Sequence, residues 1–329
     1  MDKPVRALGL SSGGLDSILS AYVLKDQGID VEWITFETPF FSSQHAVNAS
    51  KLSHIPITVQ RISEIYITML KNPGCGYGKL FNPCLDCHAL MFRLAGKFMT
   101  ENGFDFLFSG EVKGQRPMSQ TSNSLRYVEK HSHYEGYILR PLSAKLLPPS
   151  IPEMEGKVVR ERLLSLSGRS RKPQIKLAKQ FGITEYPPPA GGCLLTDPNY
   201  YRRLKDLFDH TEEQQERDFE LLKYGRHFRI SPQIKFIVGR TQHDNSFIEK
   251  WYDKKQDTLI NVIDYPSPFT LIPNAICDDL IITKAASLCV GYTKVPNGQA
   301  VHVHIQTPKM NYTLLTQGIE TERVKDMMI

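Results

Sequence analysis

The sequence predicts an α/β protein: a doubly wound, mostly parallel sheet followed by a smaller C-terminal α+β domain. Two observations predict the first part: short apolar runs alternate with helix-like segments, and a glycine- and serine-rich turn follows the first run. A proline-rich middle and a series of short strand-like runs near the C-terminus predict the second part. We therefore expect domains at residues 1–228 and 229–329, with the boundary somewhere near 225–233.

The elements of the first domain alternate in strand–helix order. The predicted strands are 5–10, 31–36, 55–59 and 105–110, and the predicted helices are 18–28, 44–52 and 85–102. Pro56 within the third strand indicates an edge strand, since proline cannot donate to a ladder. Parallel strands end at one edge of a sheet, so Ser12-Gly13, Phe36 and Gly110 are expected to line one pocket.

The second half changes character. A polar segment from Asn199 to Lys223 is predicted to be helical, and the remainder reads mostly as short strands at 234–238, 258–263 and 301–305.

The most informative motif is Ser12-Gly13-Gly14-Leu15-Asp16-Ser17, which joins the first strand to the first helix. Glycines let the backbone approach a ligand closely, and a helix N-terminus offers unpaired N–H groups to an anion. Asp16 adds a carboxylate that can hold Mg²⁺ beside phosphates. The Gly-Lys-Ser/Thr ending of a Walker loop is absent. The alternative is an ordinary glycine-rich turn.

The motif resembles the PP-loop of the ATP pyrophosphatase superfamily, which has an adenine nucleotide alpha hydrolase-like fold. These enzymes adenylate a carbonyl or carboxyl oxygen and release pyrophosphate. The resemblance implies that Ser12, Gly13, Gly14, Asp16 and Ser17 bind ATP and Mg²⁺. Phe36 is a candidate for stacking on adenine and Gly110 for lining the nucleotide pocket.

Composition narrows the class of protein. A hydrophobic fraction of 41% and a charged fraction of 23% are ordinary for a globular protein. No leader-like segment and no run of about 20 apolar residues is seen, so a cytoplasmic protein without a membrane partner is expected. The net charge of +5 is mild, but residues 157–179 hold eight lysines and arginines against Glu161 alone. This basic stretch is predicted to follow phosphates, the alternative being a solvated helix face.

Six cysteines are present, and three of them form a candidate site. Cys84 and Cys87 form a C-x-x-C followed by His88 at a predicted helix start, where a thiol pKa can be lowered. Haem attachment is excluded because it requires export, and a four-ligand zinc site lacks its second ligand pair. Cys193 follows two glycines in a flexible loop. Cys277 and Cys289 are predicted to be buried, and Cys75 is left undecided.

The PP-loop, Asn82-Pro83-Cys84 with Cys87, and the later Gly-Gly-Cys193 together resemble the tRNA thiolation enzymes, the 2-thiouridylases and 4-thiouridine synthetases. Some members use one cysteine as a nucleophile and another as a persulfide carrier, whereas others hold a 4Fe–4S cluster on three cysteines. The resemblance implies catalytic roles for Asp16, Cys84 and Cys193. It favours a cluster on Cys84, Cys87 and Cys193, with the disulfide or persulfide relay left open. Residues 109–120 resemble the strand-end segment that receives the base or adenylate. Arg140 is a weaker candidate that could equally be an ion-pair partner.

The region from about Lys235 onward resembles the NFACT-type RNA-binding domain. The matching pieces include Val238-Gly239-Arg240-Thr241-Gln242 with Asn245, and Tyr292-Thr293-Lys294. In the standard 4-thiouridine synthetase a ferredoxin-like and THUMP region precedes the PP-loop, which here begins at residue 12. We therefore expect the C-terminal domain to serve RNA docking.

Three functions follow as hypotheses. The first is ATP-dependent sulfur transfer to RNA, most simply to a tRNA uridine, from sulfide or a persulfide carrier. The second is a PP-loop amidotransferase or ligase that uses ammonia, which needs no cysteine triad. The third is an RNA-binding factor without turnover. The sequence leaves the modified nucleotide and the oligomeric state open.

Overall fold

The computed structural model describes residues 3–186, 193–274 and 278–329. The chain divides into two compact units, Met1–Thr196 and Asp197–Ile329, and each contains one sheet. The domain boundary that the sequence analysis placed at 228/229 stays a prediction beside this division.

The first unit contains a five-stranded sheet in which every strand pair is parallel. Its strands are β1 (Arg6–Leu10), β2 (Asp30–Glu37), β3 (Ile57–Arg61), β4 (Phe106–Ser109) and β5 (Ile138–Leu139). The predicted fold class is confirmed. The strand after Pro56 lies at the edge, as the proline indicated.

The strand order is β3-β2-β1-β4-β5, so the chain winds outward in both directions from β1. At such a reversal the connections after neighbouring strands leave in opposite directions and open a crevice at the carboxyl edge, where ligands bind in open α/β sheets. The Ser12–Ser17 motif follows β1, and Gly110 follows β4. The topology therefore positions both at the crevice.

Seven helices are described in the first unit: α1 (Leu15–Lys25), α2 (Gln44–Ser53), α3 (Ser63–Lys71), α4 (Cys84–Glu101), α5 (Ser122–Ser132), α6 (Ile151–Met154) and α7 (Lys172–Gln180). The sequence analysis predicted α1, α2 and α4 but did not place α3 or α5. Large side chains of the central strands, Trp33, Phe106 and Phe108, are at most 1% exposed and form the core with α1. This packed sheet is the rigid base on which the strand-end loops rest.

The second unit is a six-stranded antiparallel sheet with helices, which confirms the predicted α+β class. Its strands are β6 (Arg226–Ser231), β7 (Ile234–Val238), β8 (Thr258–Val262), β9 (Thr270–Ile272), β10 (Ala300–Gln306) and β11 (Asn311–Gln317). Its helices are α8 (Pro198–His210), α9 (Glu216–Leu221), α10 (Gln242–Trp251) and α11 (Asp279–Gly291). The single polar helix predicted over 199–223 is in fact two, because the chain turns to an extended conformation at Thr211.

None of the helices in the described parts of the chain is long and apolar enough to cross a membrane.

Candidate functional site

At Gly13 the Ser12–Ser17 loop passes too close to α2 to leave room for a side chain. Gly13 has φ of 75°, and a Cβ there would lie 2.3 Å from the backbone of His45 at the start of α2. The Gly13 N–H donates to Ser11 Oγ (3.1 Å) and the Ser12 N–H to Ser17 Oγ (3.4 Å), so the loop is held by its own serines. Gly14 is the N-cap of α1 and has no side chain that could cap the helix. The first turn of α1 thus presents the N–H groups that bind anions at helix N-termini.

Gly110 brings the end of β4 against this loop. A Cβ at position 110 would lie 2.5 Å from the Asp16 carbonyl carbon and 2.5 Å from the Ser17 nitrogen. The Ser20 hydroxyl joins the same two segments, with distances of 2.8 Å to the Asp16 carbonyl and 3.2 Å to the Ser109 carbonyl. Gly110 therefore fixes how closely the loop and the strand end approach.

Asp16 is a half-satisfied carboxylate. Its Oδ2 accepts a hydrogen bond of 2.9 Å from Gln115 Nε2, whereas its Oδ1 is buried and has no hydrogen-bond partner among the described residues. Burial raises the pKa of Asp16, and the Gln115 hydrogen bond and the charges of Arg171 and Arg116 oppose that rise. A buried carboxylate oxygen without a donor requires an explanation, and a Mg²⁺ ligand is one that fits its chemistry.

Cys84 and Cys87 lie one turn apart at the start of α4. Cys84 is partly exposed and lies 3.5 Å from the Asn82 amide nitrogen. Cys87 is buried, and its sulfur accepts from the Tyr66 hydroxyl at 3.4 Å.

Cys193 reaches the same region from a distant part of the chain. Its thiol lies 3.7 Å from the carbonyl oxygen of Phe40, which also accepts from the Leu194 N–H at 3.2 Å. Phe40 follows β2 and packs against Tyr66 with ring centroids 5.5 Å apart. Tyr66 therefore connects the segment that holds Cys193 with the thiol of Cys87. The neighbouring positions 191 and 192, which complete the Gly-Gly-Cys motif, lie outside the described residues.

The three thiols affect one another's pKa values, but burial has the larger effect. Burial raises the pKa of Cys87 far above its ordinary value, and the charges of ionised Cys193 and Cys84 would raise it further. Burial raises the pKa of Cys193 to about 12, and Cys84 adds to that effect. For Cys87, burial outweighs the helix N-terminus, so Cys87 is not the low-pKa thiolate expected from the C-x-x-C motif.

The cysteine trio has the donor chemistry of an iron–sulfur site, because thiolates are the usual cluster ligands. The cysteines described are all free, so no disulfide closes this group. As they lie, no set of three or more His, Cys, Asp or Glu side chains within the described ranges is gathered to hold a metal ion. The ligand set of Cys84, Cys87 and Cys193 stays a prediction.

A buried ionic network beside Cys87 escaped the sequence analysis. Glu111 pairs with His88 Nδ1 at 3.0 Å and with Arg140 Nε at 2.9 Å, and Arg140 also reaches Glu129 at 2.8 Å. Burial alone would raise the pKa of Glu111, but the charge of Arg140 and the bond from His88 lower it to about 2. Of the two roles considered for Arg140, the ion pair is confirmed. Its Nη2 is nonetheless buried without a hydrogen-bond partner in the described part of the chain.

Other predicted residues have simpler places. Phe36 is 2% exposed, so its ring lies in the interior, and adenine stacking by Phe36 stays a prediction. Cys289 is buried as predicted, Cys75 is exposed, and Cys277 lies outside the described residues.

In the second unit the predicted RNA-binding motif has a structural role in part. Thr241 caps α10 by accepting from the Asp244 N–H at 3.1 Å. The Asn245 amide accepts from the Phe269 N–H at 3.0 Å and donates to the Ser267 carbonyl at 3.1 Å. These residues hold the turn after β7 in place.

A row of aromatic rings follows one face of α10. The Tyr224 and Phe247 rings stack with centroids 4.1 Å apart, His243 lies 4.8 Å from Phe247, and Lys250 lies over Phe247 and Trp251. His243 and Lys250 are exposed. Partly exposed rings with a cation nearby are suited to stacking on nucleic-acid bases.

Two family models match the chain. Residues 4–145 match the model described as thiamine biosynthesis protein (ThiI), and residues 225–328 match the NFACT protein RNA binding domain. The two matches lie where the motifs at the two ends of the chain indicated, and the predicted resemblance is confirmed.

Curated relatives match part of the chain. A probable tRNA sulfurtransferase of Acholeplasma laidlawii is 29% identical over 153 residues, covering 42% of this chain and 34% of that protein. A tRNA-5-methyluridine(54) 2-sulfurtransferase of Pyrococcus horikoshii is 28% identical over 163 residues, covering 47% and 50%. The chain thus spans a third to a half of the length of these relatives.

Among solved structures, a predicted subunit of tRNA methyltransferase from Methanocaldococcus jannaschii has a TM-score of 0.34 at 16% identity, covering 54% of this chain and 76% of that chain.

Proposed function

We propose that this protein transfers sulfur to tRNA in an ATP-dependent reaction, by adenylating a uracil carbonyl oxygen and releasing pyrophosphate. The observation that carries the proposal is the pairing of a half-satisfied Asp16 in a PP-loop with a trio of thiols in the same unit. The ThiI-type domain and the relatives named as tRNA sulfurtransferases support this chemistry.

The topology supports bringing the two parts together. Phe40, which contacts Cys193, follows the carboxyl end of β2, and the PP-loop follows the carboxyl end of β1. Helix α4 precedes β4 and runs back toward its amino end, so Cys84 begins at the carboxyl edge as well. This arrangement supports a reaction in which both halves take place at one edge of the sheet.

In the first half-reaction the uracil oxygen attacks the α-phosphorus of ATP, and the bond to pyrophosphate breaks. The loop N–H groups of residues 12–17 would bind the phosphate oxygens, and Asp16 Oδ1 would hold Mg²⁺. When bound, Mg²⁺ supplies positive charge that offsets the charge developing on the leaving group.

In the second half-reaction a nucleophilic sulfur attacks the activated uracil carbon, and AMP leaves. Cys84, Cys87 and Cys193 would hold a 4Fe–4S cluster, which when bound would supply an open iron site for sulfide. The Cys193 thiol is partly buried and burial raises its pKa, so it would need a base, a metal or a persulfide before it acts.

The second unit is proposed to dock the RNA. Its NFACT-type match supports RNA binding, and the row of Tyr224, His243 and Phe247 with Lys250 is a surface suited to unpaired bases.

The decisive test combines metal analysis with two activity assays. Protein purified without oxygen is assayed for iron, sulfide and visible absorption, then for pyrophosphate release and for sulfur incorporation into tRNA. Asp16→Ala should abolish pyrophosphate release, and Cys193→Ala should abolish sulfur incorporation. Cys75→Ala, which removes an exposed thiol outside the trio, is the matched control and should leave both unchanged.

The outcomes separate the hypotheses. Iron and sulfide that disappear in Cys84→Ala support the cluster, whereas colourless protein with a persulfide on Cys193 supports the relay. Pyrophosphate release that survives Cys193→Ala together with amide formation from ammonia would indicate a ligase. Binding of tRNA without any pyrophosphate release would indicate a non-catalytic factor.

A further inference from the structure

The basic stretch at residues 157–179 is divided into paired and unpaired cations. Lys157 pairs with Asp105 at 3.0 Å and Arg162 with Asp26 at 2.6 Å, while Arg160 pairs with Glu153. The positive charges of these three side chains are thus already paired with carboxylates of the same unit. In contrast, Arg169, Arg171 and Lys172, which lie within four consecutive positions, form no ion pair within the described residues.

The unpaired segment is fixed to the loop that follows β4. The Gly168 N–H donates to the Lys113 carbonyl at 2.8 Å, and Ser167 forms a parallel bridge with Lys113. Ser143 Oγ accepts from the Lys113 N–H at 3.0 Å and donates to the Leu166 carbonyl at 2.7 Å. The position of residues 166–168 is therefore set by the same loop that supplies Gln115 to the nucleotide site.

A relay of amides continues from this segment to Asp16. Gln174, in the first turn of α7, is 1% exposed and lies 3.4 Å from Gln115 Oε1, and Gln115 donates to Asp16 at 2.9 Å. Gln174 Oε1 is buried without a partner in the described ranges, as is Asp16 Oδ1. Arg116 directly follows Gln115, and Arg171 is the N-cap of the helix that holds Gln174. Both arginines therefore adjoin the two amides that lead to Asp16.

The charge pattern of α7 opposes its own helix dipole. The first turn contains no acidic residue, the N-cap Arg171 makes no side-chain cap, and Lys172 adds another positive charge. Cations at a helix N-terminus are unfavourable, because the peptide dipoles place positive charge there. A bound anion would offset this repulsion, and departures from local rules concentrate at functional sites.

We infer that Arg171, together with Arg116 and the first turn of α7, binds the β- and γ-phosphates of ATP and the pyrophosphate that leaves. This inference rests on the proposed adenylation. When the uracil oxygen bonds to the α-phosphorus, the bond from that phosphorus to its bridging oxygen breaks and its electron pair stays on pyrophosphate. The guanidinium groups stabilise this negative charge, since arginine forms charge-assisted hydrogen bonds with phosphate oxygens.

The test compares three probes: ATP, AMP and inorganic pyrophosphate. Their affinities are measured by calorimetry with Mg²⁺ present for the wild type, Arg171→Gln and Arg116→Gln. We expect each variant to bind ATP and pyrophosphate about tenfold more weakly. Affinity for AMP, which lacks the β- and γ-phosphates, should change by less than about twofold.

The matched control is Lys97→Gln. Lys97 is 72% exposed on the C-terminal half of α4, toward the amino edge of the sheet, so its loss removes one charge away from the nucleotide site. It should leave all three affinities unchanged. Arg171→Lys should lie between the wild type and Arg171→Gln, since the charge is kept and the paired donors are lost.

Several results would overturn the inference. Unchanged affinity for ATP and pyrophosphate in Arg171→Gln would do so, and so would an equal loss for AMP and ATP. A loss of tRNA affinity with unaltered ATP affinity would assign the segment to the RNA backbone instead. A wild-type protein that binds none of the three probes would contradict the proposed function itself, before any variant is compared.

Discussion

Each unit contains an aspartate with a buried carboxylate oxygen, and the two aspartates differ in how completely their oxygens are hydrogen-bonded. Asp206 accepts from Arg229 at 2.9 and 2.6 Å and from Lys235 at 3.1 Å, so both of its oxygens are bonded. Asp16 has one bonded oxygen and one buried oxygen with no partner in the described residues. The pKa of Asp206 is lowered because the bonds from Arg229 and the charge of Lys235 exceed the effect of burial, whereas burial raises the pKa of Asp16.

This difference indicates that Asp206 stabilises the fold, whereas Asp16 belongs to a ligand site. A fully bonded buried ion stabilises the fold in place, and breaking it leaves its partners uncompensated. A buried oxygen without a hydrogen bond destabilises the fold. A ligand that supplies the missing partner would explain why such an oxygen is present. Stability and activity should therefore separate when the two are substituted.

The largest expected effect is on catalysis at Asp16. Asp16→Asn should reduce pyrophosphate release by about a thousandfold or more, because it removes a charged metal ligand. Its free energy of unfolding should change by less than about 1 kcal/mol, because the residue loses only a half-satisfied charge. Pyrophosphate release and urea denaturation, measured on the same preparation, test both parts.

Asp206→Asn should show the reverse pattern. It leaves Arg229 and Lys235 without their carboxylate and should lower the free energy of unfolding of the second unit by about 3 kcal/mol. Pyrophosphate release should persist under conditions where that unit stays folded. If Asp16→Asn proves the more destabilising of the two, the contrast between site and scaffold is wrong.

Gly110→Ala should have the next largest effect. The added methyl group would meet backbone atoms at 2.5 Å, and backbone cannot move aside as a side-chain tip can. Shifting α1 away from β4 should weaken ATP binding by about tenfold and destabilise the first unit by about 1–3 kcal/mol. Calorimetry with ATP measures the first effect and denaturation the second.

The control for that substitution is Gly74→Ala. Its Cβ would meet Asp86 Oδ1 at an ordinary 3.5 Å, and its φ is not in the left-handed region. Equal losses in the two variants would show that the contact between Gly110 and the PP-loop has no special importance.

The ionisation of Glu111 should make the free energy of unfolding depend on pH. Its pKa of about 2 lies below the ordinary value of 4.5, so its contribution to stability is fully present above about pH 4.5 and is lost as the pH falls through about 2. The free energy of unfolding of the wild type should fall over that window. Glu111→Gln should be less stable near pH 7 and show a flatter profile, because the titrating group is gone. A profile identical to the wild type's would show that another group carries the acid sensitivity.

The smallest expected effect is at the aromatic row of the second unit. Phe247→Ala should weaken binding of single-stranded RNA by about 1–3 kcal/mol, the range for loss of one stacked base. Leu280→Ala, which removes an apolar side chain that is 64% exposed on α11, should leave RNA affinity unchanged. Equal affinity in the wild type and Phe247→Ala would remove the row from the RNA surface.

Much of the first unit could be predicted from the sequence, because the residues that indicate each element lie close together in the chain. An apolar run, a glycine turn and a helix repeat in order, so β1, α1, β2, α2 and β4 could be placed from the residues themselves. The PP-loop could be identified for the same reason, since all its residues are consecutive.

Other elements could not be read locally. Helix α11 is buried on several sides, from Ile282 to Val290, so its residues lack the polar stripe that marks a surface helix. The interruption between α8 and α9 depends on Thr211 turning to an extended conformation, which no proline or glycine announces.

The network of Glu111, His88 and Arg140 escaped for a different reason. Its members come from three separate segments, and only the packed sheet brings His88 and Arg140 within 3.0 Å of Glu111. The role of Gln174 was hidden in the same way, since a glutamine in a basic helix has no local signal for burial. Tertiary proximity, rather than any sequence pattern, selects these residues.

The contact between Gly110 and the Asp16–Ser17 peptide also bears on how this chain can vary over evolutionary time. A side chain at position 110 would meet backbone atoms of residues 16 and 17, so any larger residue there requires the start of α1 to move. Other positions of the loop from Glu111 to Gln120 are limited in their own ways, since Glu111 belongs to the ionic network and Gln115 bonds to Asp16. Variation is therefore expected at exposed positions of that loop, such as Met118, rather than at position 110.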